Sequence, residues 1–325
     1  MLLNMDLIHE GKVKRLYQDP DSDEHVIIEF TDLVTAGDGE KKEEIKGKGQ
    51  LACDTNSLLL KYLQDKGIPT HLTKELDGPR FRARKLDVFK LEIVCRNRPT
   101  GSFCKRYGEP QFDAFSHPLV EFFLKDDSLG DPFISKEAVT RLGIAKPEEM
   151  GIIKSLTLSV NYYLTELLAQ VDLVLIDFKL EFGRTEKGQI LLADEISGDT
   201  MRVWGQEGDS LDKDVFRQDK GNIIEAYSKL LRFLKETNPD QVNTRPEQLS
   251  VFVLPKEGIK NPPGEVTKKA MKRLGFGQVN DVRVGKIFQI EIDCPVTSEI
   301  VKELDMMGLK LLSNPIAEKR EVRFG

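Results

Sequence analysis

The chain has 325 residues, enough for two domains of ordinary size, with 39% hydrophobic and 31% charged side chains. Forty-eight Lys and Arg against 54 Asp and Glu leave a net charge of −6, which argues against a nucleic-acid or anionic-membrane binder. The charge is uneven: residues 248–325 hold 13 basic and 10 acidic side chains, leaving 35 and 44 for the rest.

Along the chain, Glu10-Gly-Lys-Val-Lys-Arg-Leu-Tyr17 comes first. Gly11 lets backbone amides approach an anion, and Lys12 and Lys14 project to one side of an extended segment, although a plain basic edge strand has the same pattern. Val26–Phe30 reads as a strand. Two glycine-rich turns, Thr35-Ala-Gly-Asp-Gly39 and Lys46-Gly-Lys-Gly49, follow and suit phosphate or carboxylate handling as well as ordinary loops. Ala52–Gln64 reads as a helix, and Val88–Arg96 as a strand. The latter runs into Arg96-Asn-Arg-Pro-Thr-Gly-Ser102, where arginine forks at a strand end favour phosphate or carboxylate ligands. Glu148–Gln170 is a helix, with Ile152, Leu156, Val160, Leu164 and Leu167 on one stripe.

Val171–Phe182 and Ile190–Glu195 read as strand, turn, strand. With Lys187-Gly188 as a two-residue loop, Glu181 faces Asp194 across the hairpin, and period 2 puts Asp177, Lys179 and Glu181 on one face. Opposed carboxylates repel, and a divalent cation such as Mg²⁺ carrying nucleotide phosphates removes that conflict; a solvated polar face with a tolerated mismatch is the other reading. Asp194-Glu-Ile-Ser-Gly-Asp-Thr-Met-Arg202 and Asp212-Lys-Asp-Val-Phe-Arg217 each place an arginine after acids, as surface ion pairs also do.

A helix over Asn222–Lys235 runs into a polar stretch with two prolines, expected as a linker over 239–249. Beyond it, Val251–Leu254 reads as a strand and Gly264–Leu274 as a helix. Val279–Val284 and Ile287–Asp293 read as strands joined by Gly285-Lys286. A Thr297-capped helix carries Ile300, Leu304, Met307 and Leu311, and Glu321–Phe324 closes the sheet. The order is βαββαβ, a small open sandwich over 250–325, after an α+β unit over 1–238. Four histidines (His9, His25, His71, His117) read as surface or capping residues. Cys53, Cys95, Cys104 and Cys294 have no CxxC spacing and read as thiols of a reducing cytosol. No apolar run approaches the ~20 residues that span a bilayer, so a cytoplasmic protein is expected.

In order, GKVKRLY, TAGDG, KGKG, RNRPTGS, FLKDDSLGDP, DFKLEFG, DEISGDTMR and DKDVFRQ resemble the SAICAR synthetase family of purine biosynthesis over residues 9 to about 235. One departure is that the family usually has Pro after the Ser of DExSPD, where this chain has Gly198, which is expected to loosen the loop carrying Arg202. The tail, with VFVLPKEGIKNPPG, KRLGFGQVNDVRVGK and FQIEID, resembles the small S subunit of phosphoribosylformylglycinamidine (FGAM) synthase.

The resemblance implies a two-part α+β ATP-binding fold with a cleft, and ATP-dependent joining of carboxyaminoimidazole ribonucleotide (CAIR) to L-aspartate, with ATP and Mg²⁺. It places ATP at Gly11, Lys12, Lys14, Leu86 and Lys125, and metal at Glu181 and Asp194. It places substrate at Asp38, Glu92, Arg96, Ser102, Asp131, Arg202 and Arg217, and catalytic roles at Lys14, Lys179 and Lys213. A homo-oligomer is expected, with FGAM synthase catalytic and glutaminase subunits as partners of the tail. A kinase-like phosphotransferase and a non-catalytic purine-pathway scaffold are the alternatives.

Overall fold

A computed structural model describes residues 5–36, 41–108, 110 and 114–324, which divide into two compact units, Met1–Arg245 and Pro246–Gly325. In the first unit, β1 (Leu7–Glu10), β2 (Lys14–Gln18) and β3 (His25–Phe30) are followed by the hairpin β4 (Leu33–Ala36) and β5 (Lys41–Glu44), and by helix α1 (Lys48–Asp65). Then come β6 (Leu72–Glu75), β7 (Arg80–Arg84), β8 (Asp87–Val88), β9 (Leu91–Arg96), α2 (Ser102–Tyr107) and β10 (Leu119–Leu124). After α3 (Lys136–Arg141) and α4 (Pro147–Ala169) the chain makes β11 (Val174–Arg184), β12 (Ile190–Ala193), β13 (Met201–Trp204), α5 (Asp214–Arg217) and α6 (Ile223–Glu236).

One antiparallel sheet has the order β1-β2-β3-β7-β6, and a second runs β10-β9-β11-β12 with β8 and β13 also on β11. The eleven residues of β11 organise the second sheet because the strand changes partners midway. Residues 177–180 pair with β9 and 174–178 with β13, while 181–184 pair with β12. Ile176, Phe178, Leu180 and Phe182 are fully buried, and α4 packs on this strand through its expected stripe of Ile152, Leu156, Val160, Leu164 and Leu167. The alternate residues Asp177, Lys179 and Glu181 line the cleft.

In the fold of the first unit, four expectations need correction. The hairpin loop is five residues long, not two, because the Thr185 N–H donates to Gln189 O at 2.9 Å and the Thr185 hydroxyl accepts from Gln189 N at 3.1 Å. The register therefore shifts by one, and Glu181 faces Ala193. Lys12 lies in a tight turn closed by Gly11 N–H to Lys14 O (2.8 Å), so the basic motif is a hairpin and not one extended strand. His71 is buried with its ring edge-on to Phe81, and burial lowers its pKa to about 4 despite the raising charge of Asp194. Finally, the expected linker is bonded onto the first unit. Asn238 N donates to Gln170 Oε1 at 2.7 Å, Lys66 Nζ to Val242 O at 2.6 Å, and Arg245 N to the Tyr163 hydroxyl at 3.3 Å.

The second unit contains β14 (Glu247–Pro255), α7 (Pro262–Arg273), β15 (Lys286–Ile292), α8 (Ser298–Met307) and β16 (Glu318–Phe324), with sheet order β15-β14-β16. Residues 247–249, expected as linker, are already strand. Val279–Val284 is not a strand; at its end the Asn261 side chain holds the backbone of Val284, Nδ2 donating to Val284 O at 2.9 Å and Oδ1 accepting from Val284 N at 3.2 Å. The expected helix through Leu311 ends as an α-helix at Met307 and continues as a wider turn over Gly308–Leu312. The core is small: Leu249, Val296 and Leu304, with Ile290, Ile292, Ile300, Val322 and Phe324 packed around them.

All four cysteines are free, and burial pushes the Cys53 and Cys95 thiols up to about 12. Among the described residues, no helix is long and apolar enough to cross a membrane.

One position in β11 has no room for a side chain. A Cβ on Gly183 would lie 2.7 Å from the Leu86 Cβ and 3.2 Å from Asp87 O. Gly183→Ala should therefore cost about 1–3 kcal/mol by overpacking, read as a lower denaturant midpoint at unchanged slope.

Candidate active site

The cleft has a volume of about 1020 Å³ and is lined by the Gly11–Lys14 turn, the ends of β9 and β10, one face of β11 and the loop after β12. Its side chains form two charge systems, both anchored on β11.

The first is built of lysines and carboxylates. Lys14 Nζ is in ion-pair contact with Asp194 and lies 3.0 Å from Glu195, whose other oxygen accepts from the Ser197 hydroxyl at 2.6 Å. Lys125 Nζ donates to Glu181 at 2.6 Å, and Lys179 Nζ to Glu92 at 2.7 Å and to Glu181 at 3.4 Å. Asp194 reaches this cluster by an unusual backbone route. The true register would put the residue after Ala193 on the buried face, but Asp194 leaves the strand with φ of 57°, a left-handed conformation costly for a non-glycine residue.

The electrostatics separate the two carboxylates. Burial would raise Asp194, but the charges of Lys14 and Lys179 and the Lys14 hydrogen bond hold it well below the usual carboxylate range. Glu181 is held above that range, by burial first and then by the charge of Asp194, against the opposing Lys179 and Lys125. Burial would lower Lys14 and Lys179, yet the surrounding acids raise both.

The second system is a chain of alternating charges. Arg106 contacts Glu121; Glu121 accepts from Arg96 at 2.7 Å; Asp177 accepts from Arg96 at 2.8 Å and from Arg202 at 2.8 Å. Arg202 donates onward to Asp214 at 2.8 Å, and Asp214 accepts from Arg217 at 2.6 Å. Four arginines face three acids, so the chain carries an excess positive charge. Its inner members are buried, while the Arg217 side chain is 36% exposed and lines the cleft. Gly101, with φ of 53°, brings the loop after β9 close to Arg202: a Cβ there would lie 3.1 Å from Nη2. Below Asp214, burial and then the Asp214 charge push Asp212 up to about 7.

Of the residues singled out in the sequence, Gly11, Lys12, Lys14, Glu92, Arg96, Ser102, Lys125, Asp131, Lys179, Glu181, Asp194, Arg202, Lys213 and Arg217 line this one cleft. Lys12 pairs with Asp127 at 2.9 Å, and Asp131 accepts from the Asp126 N–H at 2.8 Å. Asp38 lies outside the described residues. Leu86 is not among the lining residues; its side chain rests on Gly183, which has no Cβ to hold it away. Arg96 is 3% exposed and donates to Glu121, Asp177 and Ser102, so it braces the site from below.

Sequence reasoning put Asp177 on the correct face but gave it no role. It also left out Glu195, Glu121, Asp199 and Lys48. Lys48 is fully buried in ion-pair contact with Asp199; the Lys46-Gly-Lys-Gly49 turn suits phosphate or carboxylate handling as well as an ordinary loop, which by itself assigns Lys48 no role. The loop at Gly198 is not loosened, because the Tyr227 ring stands where a side chain at 198 would be, 2.6 Å from the place its Cβ would occupy.

The model of the SAICAR synthetase family matches residues 7–233, and that of FGAM synthase PurS matches 248–324. Phosphoribosylaminoimidazole-succinocarboxamide synthase of Bacillus cereus (strain G9842) is 42% identical over 231 residues, 71% of this chain and 96% of its own length. A solved SAICAR synthetase (type-2) in complex with ADP is 42% identical, with a TM-score of 0.68 over 70% of this chain and 97% of that one. The corresponding enzyme from Ehrlichia chaffeensis is 37% identical, with a TM-score of 0.69 over 71% and 98%. With two thirds of its length matched in sequence and in fold, the chain belongs to the SAICAR synthetase family, and a PurS-type unit is fused after it.

Proposed function

We propose that the first unit joins the carboxylate of CAIR to the amine of L-aspartate at the expense of ATP, giving SAICAR, ADP and phosphate. The observation that carries this reading is the meeting of the lysine–carboxylate cluster and the arginine chain along one face of β11. A ligase of this kind must hold a nucleotide triphosphate beside a second, phosphorylated substrate, and needs positioning and charge neutralisation more than a covalent nucleophile. Lys12 and Lys14, on the Gly11 turn, face the nucleotide phosphates, with Lys125 beside them. Arg217, at the exposed end of the arginine chain, takes the CAIR phosphate, and Arg202 and Arg96 hold it in place through Asp214 and Asp177. Ser102, Glu92 and Asp131, which line the same cleft, are assigned to CAIR, and Lys179, bonded to Glu92, sits between the two charge systems.

Glu181 and Asp194 suit a Mg²⁺ ion. Among the described residues no group of three His, Cys, Asp or Glu side chains could hold a metal, so an ion at this pair would need phosphate and water oxygens to complete its shell. Burial first, and then the charge of Asp194, hold the Glu181 carboxyl above its ordinary value, and a cation beside the pair would relieve the second of these. Bound there, the ion would neutralise phosphate charge.

The second unit is proposed as an assembly module for FGAM synthase subunits and for self-association. Its support is a small core beside widely exposed apolar side chains, including Val266, Leu274 and Phe276 on and after α7, and Leu311 and Ile316. A phosphotransferase that stops at the phosphorylated product fits the nucleotide half alone, but leaves the role of Lys213 and the loop before it unexplained.

The deciding assay supplies ATP, Mg²⁺, CAIR and L-aspartate and omits each in turn. ADP release should require all four, whereas stoichiometric ADP without aspartate would indicate a kinase. In the same assay, Arg217→Ala should raise the CAIR requirement by about 30- to 1000-fold, for a lost charge-assisted phosphate contact of roughly 2–4 kcal/mol, and leave KM for ATP nearly unchanged. Glu181→Gln and Asp194→Asn should each lower turnover by roughly 100-fold or more. Their stabilities should diverge: Glu181 is ionised against its surroundings, so its amide holds or raises Tm, while Asp194 is favoured as the anion and its amide lowers Tm. Normal activity in either variant would overturn the metal assignment. Cutting the chain after Arg245, beyond the residues bonded to the first unit, should leave ligase activity with residues 1–245 and give a tail that associates with itself. A tail that stays monomeric and binds no FGAM synthase subunit would remove the assembly role.

A further inference from the structure

Lys213 is a buried lysine of the cleft whose surroundings differ from those of Lys12, Lys14, Lys125 and Lys179. Lys12, Lys125 and Lys179 each have a carboxylate within 2.9 Å, and Lys14 is in contact with one acid and 3.0 Å from a second. Among the described residues, the carboxylate in ion-pair range of Lys213 is Asp199, at 3.4 Å, and Asp199 is already in contact with the fully buried Lys48 while the Tyr227 hydroxyl faces it from α6. Arg217, four residues on at the end of the short helix α5 that Lys213 precedes, adds another positive charge. The backbone fixes this arrangement, since Lys213 N donates to Gly198 O at 2.9 Å, Asp199 N donates to the Ser197 hydroxyl at 3.1 Å, and Lys213 is 9% exposed.

The groups facing Lys213 are thus Asp199 and, farther off, Glu195 on the acidic side, and Arg217 and Lys48 on the basic side. The ordering is burial, which lowers its pKa, then Asp199, which raises it, then Arg217 and Lys48, which lower it; the result lies below the ordinary lysine range. Lys14 and Lys179, in the same cleft, move the other way and keep their protons.

We propose that Lys213 is the group that takes the proton from the α-ammonium of the amino acid substrate. The proposal rests on the ligase reading above, in which aspartate attacks an acyl phosphate formed on the CAIR carboxylate. An ammonium has no lone pair with which to attack. Neutral Lys213 Nζ removes one proton and becomes an ammonium; the freed amine forms the C–N bond as the C–O bond to phosphate breaks. The phosphate leaves with that electron pair and carries away the second amine proton. Asp199 keeps Lys213 aimed, and Lys48 and Arg217 keep positive charge close to it, so the proton is readily returned to solvent afterwards.

The test compares Lys213→Arg and Lys213→Met with the unmodified full chain, measuring ADP release with aspartate or with hydroxylamine, whose nitrogen is already neutral at pH 7. Arginine keeps the charge and the hydrogen bonds but cannot give up its proton. Aspartate-dependent turnover of the Arg variant should fall by about 100- to 10,000-fold, the usual worth of a general base, while its hydroxylamine-dependent ADP release stays near that of the unmodified chain. Its residual rate with aspartate should climb through the titration of the free amine, whereas the unmodified enzyme levels off at lower pH. An Arg variant that keeps its aspartate activity overturns the proposal. So does equal loss with both nucleophiles, which would assign Lys213 to acyl-phosphate formation, or a pH profile merely scaled down from that of the unmodified enzyme. Failure of the unmodified chain itself to use aspartate would instead reject the ligase reading.

Discussion

Asp177 accepts hydrogen bonds from Arg96 and from Arg202, and also from the Thr100 hydroxyl at 2.6 Å, while 3% exposed. A carboxylate so enclosed is tolerable only because each oxygen is matched, and removing one partner from such a set typically costs about 3–5 kcal/mol. Three strands depend on it. Arg96 ends β9, Arg202 lies in β13, and Asp177 is the residue of β11 that pairs with both. The bond that joins the strands is therefore the same bond that aims the arginines. This explains why the exposed Arg217 stands in a fixed place: its partner Asp214 is tied back through Arg202 to the middle of the sheet.

The other half of the cleft depends on the same strand. Glu181 lies four residues beyond Asp177 on one face of β11, roughly 13 Å along an extended chain. The lysine–carboxylate cluster and the arginine chain are thus held apart by a rigid spacer buried on its opposite face under α4. Lys179, between them, donates to Glu92 and Glu181 and belongs to the first system while lying next to the second. A strand with one apolar face and one charged face can carry that charge because Arg96 and Arg202 answer Asp177, Glu92 answers Lys179 and Lys125 answers Glu181.

What could be read from sequence follows from which signals are local. Period 2 placed Asp177, Lys179 and Glu181 on one face without any knowledge of the register, and 3.6-residue spacing gave α4 its buried stripe. The register itself hung on a turn, and the Thr185 hydroxyl widened that turn in a way that residue preferences do not announce. Asp194 still reached the cleft because a left-handed backbone compensates the shift, something no alternation pattern encodes. Arg96 reads as a ligand residue from its place at a strand end, and only pairing of the strands adds that Glu121, 25 residues away on β10, shares its guanidinium. Lys48 was hidden in the same way: its burial depends on Asp199, 151 residues later. Val279–Val284 has strand composition but forms no strand, and the backbone of its last residue is held by a distant side chain, Asn261.

Gly198 shows how a local departure can be absorbed without loosening a site. The loop from Glu195 to Arg202 carries Asp199 and delivers Arg202 to Asp177, so a flexible residue in it should blur both. Instead, the fully buried Tyr227 ring from α6 comes so close that any Cβ at 198 would lie 2.6–3.0 Å from three of its atoms. The absent side chain is replaced by a ring that backs the loop, and the loop's backbone is further bound by Lys213 N to Gly198 O and by Thr200 N to Ser197 O, at 2.9 and 3.1 Å. Since a packed aromatic surface restricts the chain as effectively as a local ring would, the freedom of glycine is spent on close approach and not on motion. The consequence is a coupling between positions 29 residues apart: a larger residue at 198 is compatible with this site only if Tyr227 withdraws, and a withdrawn Tyr227 no longer faces Asp199.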